Sequence, residues 1–242
     1  MIYLDFDGVL FDTAMEAFVV GHKAYFNVDV DYPELKDDYR RFLLLRPFVV
    51  SAWQYFSVFS LLLEASSDEL LLIKGKQKLA LKPTKKDKAF EVKFNYIRTE
   101  LIKNDKSKWV NLHRPYSFFT LIKPMMLECP QKFQIISTKG ADFILELLLI
   151  HGVFFDKSQV WGKDTFDKCG QSKAEVFLQN LGIDEKVLFI DDSNKHIMET
   201  EALKNVEAIL ANWGYVENYE AEDNTIFAIE KVALHLDRLC HF

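Results

Sequence analysis

The sequence predicts an α/β protein: a parallel sheet covered by helices on both faces, with an α-helical domain inserted after the first strand. Three observations carry this reading. The opening segment Ile2-Tyr3-Leu4-Asp5-Phe6-Asp7 and the stretch after about Pro115 read as short apolar strands separated by amphipathic helices. Repeated strand–helix–strand units imply parallel pairing, with helices on both faces of the sheet. Residues 14–112, by contrast, hold long helical stretches with little strand alternation. Finally, 9 Gly and 6 Pro among 242 residues are too few for a turn-dense all-β chain, while 21 Phe point to a well-filled apolar interior.

Taken in order, the first strand ends at Asp5-Phe6-Asp7, and helices are expected over Ala14–Tyr25 and Leu35–Leu63. Phe42 to Leu63 is long enough to cross a bilayer, yet it carries Arg46-Pro47, Ser51, Gln54, Ser57 and Ser60. A buried core helix accommodates those groups more cheaply, so no membrane span is expected. Trp53, Tyr55, Phe56 and Phe59 are expected to pack the interior of the helical domain. Beyond Pro115, strands are expected at residues 132–137, around Gly152–Phe155 and Gln159–Trp161, at Lys186–Ile190 and at Val206–Leu210. Helices at Ala141–Ile150, Ser172–Leu181, Asn194–Lys204 and Ile226–Cys240 alternate with them. The domains expected are therefore 1–13 with 113–242 for the sheet, and 14–112 for the helical insertion.

Charge is unevenly placed. Formal net charge is −6, but Lys74–Lys108 holds twelve Lys/Arg against four Asp/Glu, making that stretch +8 and the remainder −14. A solvated helix face is the simpler reading; a surface that attracts anions is the sharper one. The overall charge and the lack of a groove-reading motif argue against a nucleic-acid partner. Three Cys, at 129, 169 and 240, form no CxxC pair, which argues against a disulfide framework and for a reducing compartment. With no basic, apolar leader ahead of the first strand, a cytoplasmic protein is expected.

Asp5 and Asp7 carry the first chemical signal. At i and i+2 of an extended chain, both carboxylates face one side. Gly8 then allows a sharp turn and brings backbone N–H groups near an anion. Two close carboxylates raise each other's pKa unless a cation offsets them, and Mg²⁺ suits a sparse oxygen-ligand set. Asp191 and Asp192 end another strand, where open α/β sheets bind ligands. They would equally cap the helix beginning near Asn194. Ser137-Thr138, at the end of a third strand, presents hydroxyls and fresh helix N–H groups to a phosphate, or an ordinary helix cap. Lys173, near a helix start where positive charge is unfavourable, suggests a compensating anion.

The run Asp5-Phe6-Asp7-Gly8-Val9-Leu10-Phe11-Asp12-Thr13 resembles the first signature of the haloacid dehalogenase superfamily. Ile135-Ile136-Ser137-Thr138-Lys139, then Lys173, then Phe189-Ile190-Asp191-Asp192-Ser193 resemble its later motifs in order, and Ala211-Asn212-Trp213-Gly214-Tyr215 a stretch common after the fifth strand. The resemblance covers about residues 1–13 and 113–242. It implies a Rossmann-like core with an inserted helical cap, and Mg²⁺-dependent hydrolysis of a small phosphorylated metabolite. Asp5 would be the nucleophile and Asp7 the general acid and base. Asp5, the Asp7 carbonyl and Asp192 would hold the metal, with Asp191 acting through water. Ser137 and Lys173 would bind the phosphoryl oxygens. An acid at position 7 sets the phosphatases and phosphomutases apart from the dehalogenases. Many relatives carry an Asp where this chain has His196, which is expected to be structural. Arg46, His113 and Arg114 are candidates to reach the ligand, and Arg114-Pro115 for a hinge. Alternatives are a phosphomutase of the β-phosphoglucomutase type, and a non-catalytic protein that binds phosphate or a polyanion through the basic stretch.

Overall fold

The computed structural model describes residues 1–29, 35–170, 172–182, 184–217 and 222–241. Strand β1 (Ile2–Leu4) is followed by the two-residue strand β2 (Phe11–Asp12). Six helices come next: α1 (Ala14–Phe26), α2 (Lys36–Leu45), α3 (Tyr55–Glu64), α4 (Asp68–Leu79), α5 (Lys85–Asn104) and α6 (Lys106–Asn111). After β3 (Arg114–Pro115) the chain alternates: α7 (Ser117–Glu128), β4 (Phe133–Ile136), α8 (Ala141–Ile150), β5 (Val160–Trp161), α9 (Lys163–Cys169), α10 (Lys173–Asn180), β6 (Val187–Asp191), α11 (Asn194–Thr200), β7 (Val206–Leu210) and α12 (Glu222–His241). Two compact units result, Met1–Asp12 with Pro115–Phe242, and Thr13–Arg114.

The first unit is built on a five-stranded sheet in the order β5-β4-β1-β6-β7, and every pair given a register is parallel. Its central strands are apolar and buried, as strands covered on both faces must be. On one side Tyr3, Ile136, Phe166, Val176, Phe177, Val187 and Phe189 form a closed cluster beneath α9 and α10. Leu4 lies level with Ile135 on β4 and Ile190 on β6. Asp5, the residue after β1, and Asp191, the last residue of β6, therefore stand side by side. Register alone makes them neighbours.

Apart from connecting turns and Arg114 of β3, the second unit is built of helices among its described residues. Phe18, Phe42, Tyr55, Phe59 and Phe94 are buried, with ring centroids from 5.2 to 6.3 Å apart around Tyr39, Phe42 and Phe59. Tyr55 and Phe59 pack the interior as expected, whereas Trp53 and Phe56 are half-buried. Ser67 caps α4 by accepting from the Leu70 N–H, and Thr84 and Asp87 cap α5 reciprocally. Of the twelve cations between Lys74 and Lys108, Arg98 is turned inward to Glu16; the lysines are exposed or half-buried.

The helix expected over Leu35–Leu63 is two helices. Pro47 lacks a backbone donor and the chain becomes a 3₁₀ turn over Arg46–Phe48, then extended at Val49. Gln54 then draws the Val50 and Ser51 N–H groups onto its side-chain oxygen and a new helix starts. Among the described residues, no helix is long and apolar enough to cross a membrane. Asn194–Lys204 is also shorter than expected: α11 stops at Thr200, whose hydroxyl returns to the His196 and Ile197 carbonyls.

Candidate active site

Four aspartates and two lysines gather where the central strands of the first unit end. The register that aligns Asp5 with Asp191 is extended by the Asp5 N–H, which donates to the Ile190 carbonyl at 2.9 Å. Asp5, Asp191 and Asp192 each offer one carboxylate oxygen, and these oxygens lie within 4.8 Å of one another. All three residues are buried.

Lys173 is placed among them by a local device. Ser172 accepts from the Glu175 N–H at 3.2 Å, and Glu175 accepts from the Ser172 N–H at 3.0 Å, so α10 must begin at Lys173. Its ammonium, with the side chain only 1% exposed, lies 2.9 Å from Asp5 Oδ1 and 2.5 Å from Asp191 Oδ2. The compensating anions suggested by a lysine at a helix start are thus two aspartates of the chain itself. Burial opposes the charged ammonium, but Asp191 and Asp5 outweigh it and hold Lys173 above the ordinary lysine value.

The two acids respond oppositely. Burial pushes the Asp5 carboxyl up; Lys173 pulls against it, while Asp191 and Asp7 push the same way as burial. Asp191 is equally buried, yet Lys173 and His196 together carry it well below the usual carboxylate range. Both Asp191 oxygens are engaged: the Ser193 N–H donates to Oδ1 at 2.8 Å, and His196 Nδ1 sits 3.0 Å from Oδ2 and 3.2 Å from Oδ1. A carboxylate so committed orients Lys173 more readily than it binds an ion directly. His196, expected to be structural, supports Asp191.

Asp7 stands apart from the cluster, its carboxylate 2.9 Å from the ammonium of Lys139. The motif around Ser137 assigns Lys139 no role. The available signal was spacing: two residues after Ser137 at a strand end, Lys139 returns to the same rim. Ser137 is buried, its N–H donates to the Trp161 carbonyl, and its hydroxyl accepts from the Lys139 N–H at 3.4 Å. Thr138 is half-buried beside it.

Gly8 makes the sharp turn expected of it, and a second constraint holds it there. Its φ is +91°, and a Cβ there would lie 2.0 Å from Asp192 Oδ2. Its N–H donates to the Phe11 carbonyl at 2.8 Å, which turns that group into the loop. The segment Trp213–Tyr215 completes the wall. Trp213 Nε1 donates to the Val9 carbonyl at 3.1 Å, the Tyr215 N–H to Asp192 Oδ2 at 2.6 Å, and the Tyr215 hydroxyl to Asp12 at 2.7 Å. Gly214 lets this approach occur, since a Cβ would meet the Gly8 carbonyl at 2.3 Å.

Two of the other candidates, Arg46 and His113, have partners inside the helical unit. Arg46 is buried and donates from Nη1 to the Val49 carbonyl at 3.0 Å. His113 Nδ1 meets the Trp109 carbonyl at 2.8 Å, and Arg114 is exposed.

The chemistry of this donor set fits a hard divalent cation. Four carboxylates face two ammonium groups, so the named residues carry excess negative charge in a buried place. Such crowding without a cation is expensive, and Asp191 and Asp7 add to the burial that already raises Asp5.

No protein-family profile and no curated protein matches the chain. Solved structures do share its fold. A predicted phosphoglycolate phosphatase from Haemophilus somnus is 15% identical, with a TM-score of 0.53 over 90% of this chain and 87% of that one. A predicted phosphatase from Clostridium acetobutylicum is 16% identical, with a TM-score of 0.52 over 96% of both chains. At such identities the likeness is one of fold.

Proposed function

We propose that this chain, which has the phosphatase-like fold of the haloacid dehalogenase superfamily, hydrolyses a small phosphomonoester with Mg²⁺ through an aspartyl phosphate on Asp5. One observation carries the reading: Asp5, Asp191 and Asp192 converge within 4.8 Å with the Lys173 ammonium 2.9 Å from Asp5. A structural ion pair needs no third and fourth acid at the same rim.

An Asp5 oxygen attacks phosphorus and the bond from phosphorus to the leaving oxygen breaks, while Asp7 gives that oxygen its proton. Asp7 then takes a proton from water, whose oxygen attacks phosphorus and frees the Asp5 carboxylate. Lys139 holds the Asp7 carboxylate in place for both transfers. Lys173, Ser137 and Thr138 bind the phosphoryl oxygens, where stabilising charge lowers the barrier most. Asp5, the Asp7 carbonyl and Asp192 would hold the Mg²⁺, with Asp191 at one remove. Bound there, the ion would neutralise phosphoryl charge and keep Asp5 ionised. Residues 14–112 serve in this reading as a cap that selects the leaving group, and the compartment is the cytoplasm.

The test is hydrolysis of an aryl phosphate by the purified chain, with Mg²⁺ and with EDTA, beside Asp5→Asn. Turnover that needs the metal and falls at least about a thousandfold in Asp5→Asn supports the reading. Equal rates in the two proteins sink it.

A further inference from the structure

Two of the three cysteines meet at a place remote from the aspartates in sequence. Cys129 ends α7 and Cys240 lies in the last turn of α12, 111 residues later. The Cys129 sulfur is 3.7 Å from the Cys240 carbonyl oxygen, which brings the two cysteines together across the sequence. Cys129 is half-buried, whereas Cys240 is buried.

The surroundings hold them there. Lys132 Nζ donates to the Leu239 carbonyl at 2.7 Å and to the Cys240 carbonyl at 2.9 Å, a cation on the carbonyl end of a helix. Gln159 Nε2 donates to the Pro130 carbonyl at 2.7 Å and to the Phe133 carbonyl at 3.3 Å, fixing the turn that follows Cys129.

We propose that Cys129 and Cys240 are a redox modification site, closed to a disulfide by hydrogen peroxide and reopened by a thiol reductant. Exposure assigns the order. The Cys129 sulfur attacks one peroxide oxygen, the O–O bond breaks, and water leaves a sulfenic acid on Cys129. The Cys240 sulfur then attacks the Cys129 sulfur, the S–O bond breaks, and the Cys240 proton leaves with the hydroxyl as a second water. Two thiols lose two electrons and one peroxide becomes two waters. Burial pushes the Cys240 thiol up, so the more exposed Cys129 is the sulfur that meets peroxide first.

The ring so formed contains Ser137, Lys139, Lys173, Asp191 and Asp192 and leaves out Asp5 and Asp7. Oxidation thus fastens the segment that carries most of the candidate site. An odd cysteine count speaks against a disulfide framework; it does not speak against one pair and one spare thiol, here Cys169.

The test treats the reduced full chain with one equivalent of hydrogen peroxide. The expected product is a monomer lighter by about 2 Da that gives a Cys129–Cys240 cross-linked peptide. Its thermal midpoint rises by about 5 °C or more, and dithiothreitol reverses both changes. Cys169→Ser keeps the behaviour and Cys129→Ser abolishes it. Three free thiols after peroxide, oxygenated Cys129 without a cross-link, pairing through Cys169, or a bond between two copies would each overturn the proposal. So would a cross-link that leaves the midpoint unmoved. The comparison of reduced with oxidised wild type needs no variant to fold.

Discussion

Each unit of this protein buries a charge cluster, and the two are built to opposite rules. In the helical unit, Arg98 on α5 meets Glu16 on α1: Nε to Oε1 at 2.6 Å and Nη2 to Oε2 at 2.8 Å. The Glu16 side chain is 0% exposed and that of Arg98 7%. The guanidinium also sits 4.7 Å from the Phe94 ring centroid. One fork meets one carboxylate, and the charges balance. In the sheet unit one ammonium, Lys173, serves both Asp5 and Asp191, with Asp192 adjacent and Asp7 held by Lys139. Even with His196 beside Asp191, acids outnumber cationic side chains among these residues. A balanced buried pair fastens two helices, whereas an unbalanced one solicits a ligand. Burial of charge is therefore a weak sign of function, and the stoichiometry of that charge is a strong one.

The largest effect should come from the unbalanced cluster. Lys173→Met is expected to lower aryl phosphate turnover about a thousandfold. Because it leaves Asp5 and Asp191 uncompensated, it should also lose stability that Mg²⁺ restores in a thermal melt. A melt indifferent to Mg²⁺ would place Lys173 with Arg98 among the structural cations. Arg98→Met, in turn, is expected to lose about 3–5 kcal/mol of stability by leaving Glu16 buried and unmatched. Glu16→Leu together with Arg98→Met should recover most of that loss. Any Mg²⁺ rescue of Arg98→Met would erase the distinction between the clusters.

A smaller effect is expected at His196. If its Nδ1 orients Asp191, His196→Asn keeps a donor near that atom and near-normal kcat, while His196→Phe loses about tenfold in kcat with little change in KM. Equal losses in both would reduce His196 to packing. The pH dependence follows from Asp5, whose folded value lies above its ordinary 3.8. Without metal its proton is held more tightly in the folded chain, so its contribution to stability is full below that ordinary value and fades as pH rises through the raised one. A divalent cation binds only the carboxylate. Raising Mg²⁺ should therefore move the acid limb of the activity profile to lower pH, and an acid limb independent of Mg²⁺ would assign it to another group. The smallest effect belongs to Tyr215→Phe, which removes one hydrogen bond to Asp12 and should lower stability by about 1 kcal/mol.

Much of this was determined by local sequence. Alternation of short apolar strands with amphipathic helices dictates a parallel sheet, because each strand must be covered on both faces and each crossover needs a helix. The strand at Val206–Leu210 lies where the pattern puts it, and the Ser172–Glu175 spacing is enough to start α10 at Lys173. The pattern failed at Pro47, where an apolar run long enough for one helix is broken by a residue without an N–H donor. What only the tertiary structure decided is pairing over distance. Nothing near Glu16 in sequence names Arg98, and nothing near Asp7 names Lys139. Gly8 is legible as a turn residue, but only the fold shows that Asp192 occupies the space of its absent Cβ. Hydrophobic periodicity is written in neighbours along the chain, whereas the balance of charge in a buried site depends on register between strands far apart in it.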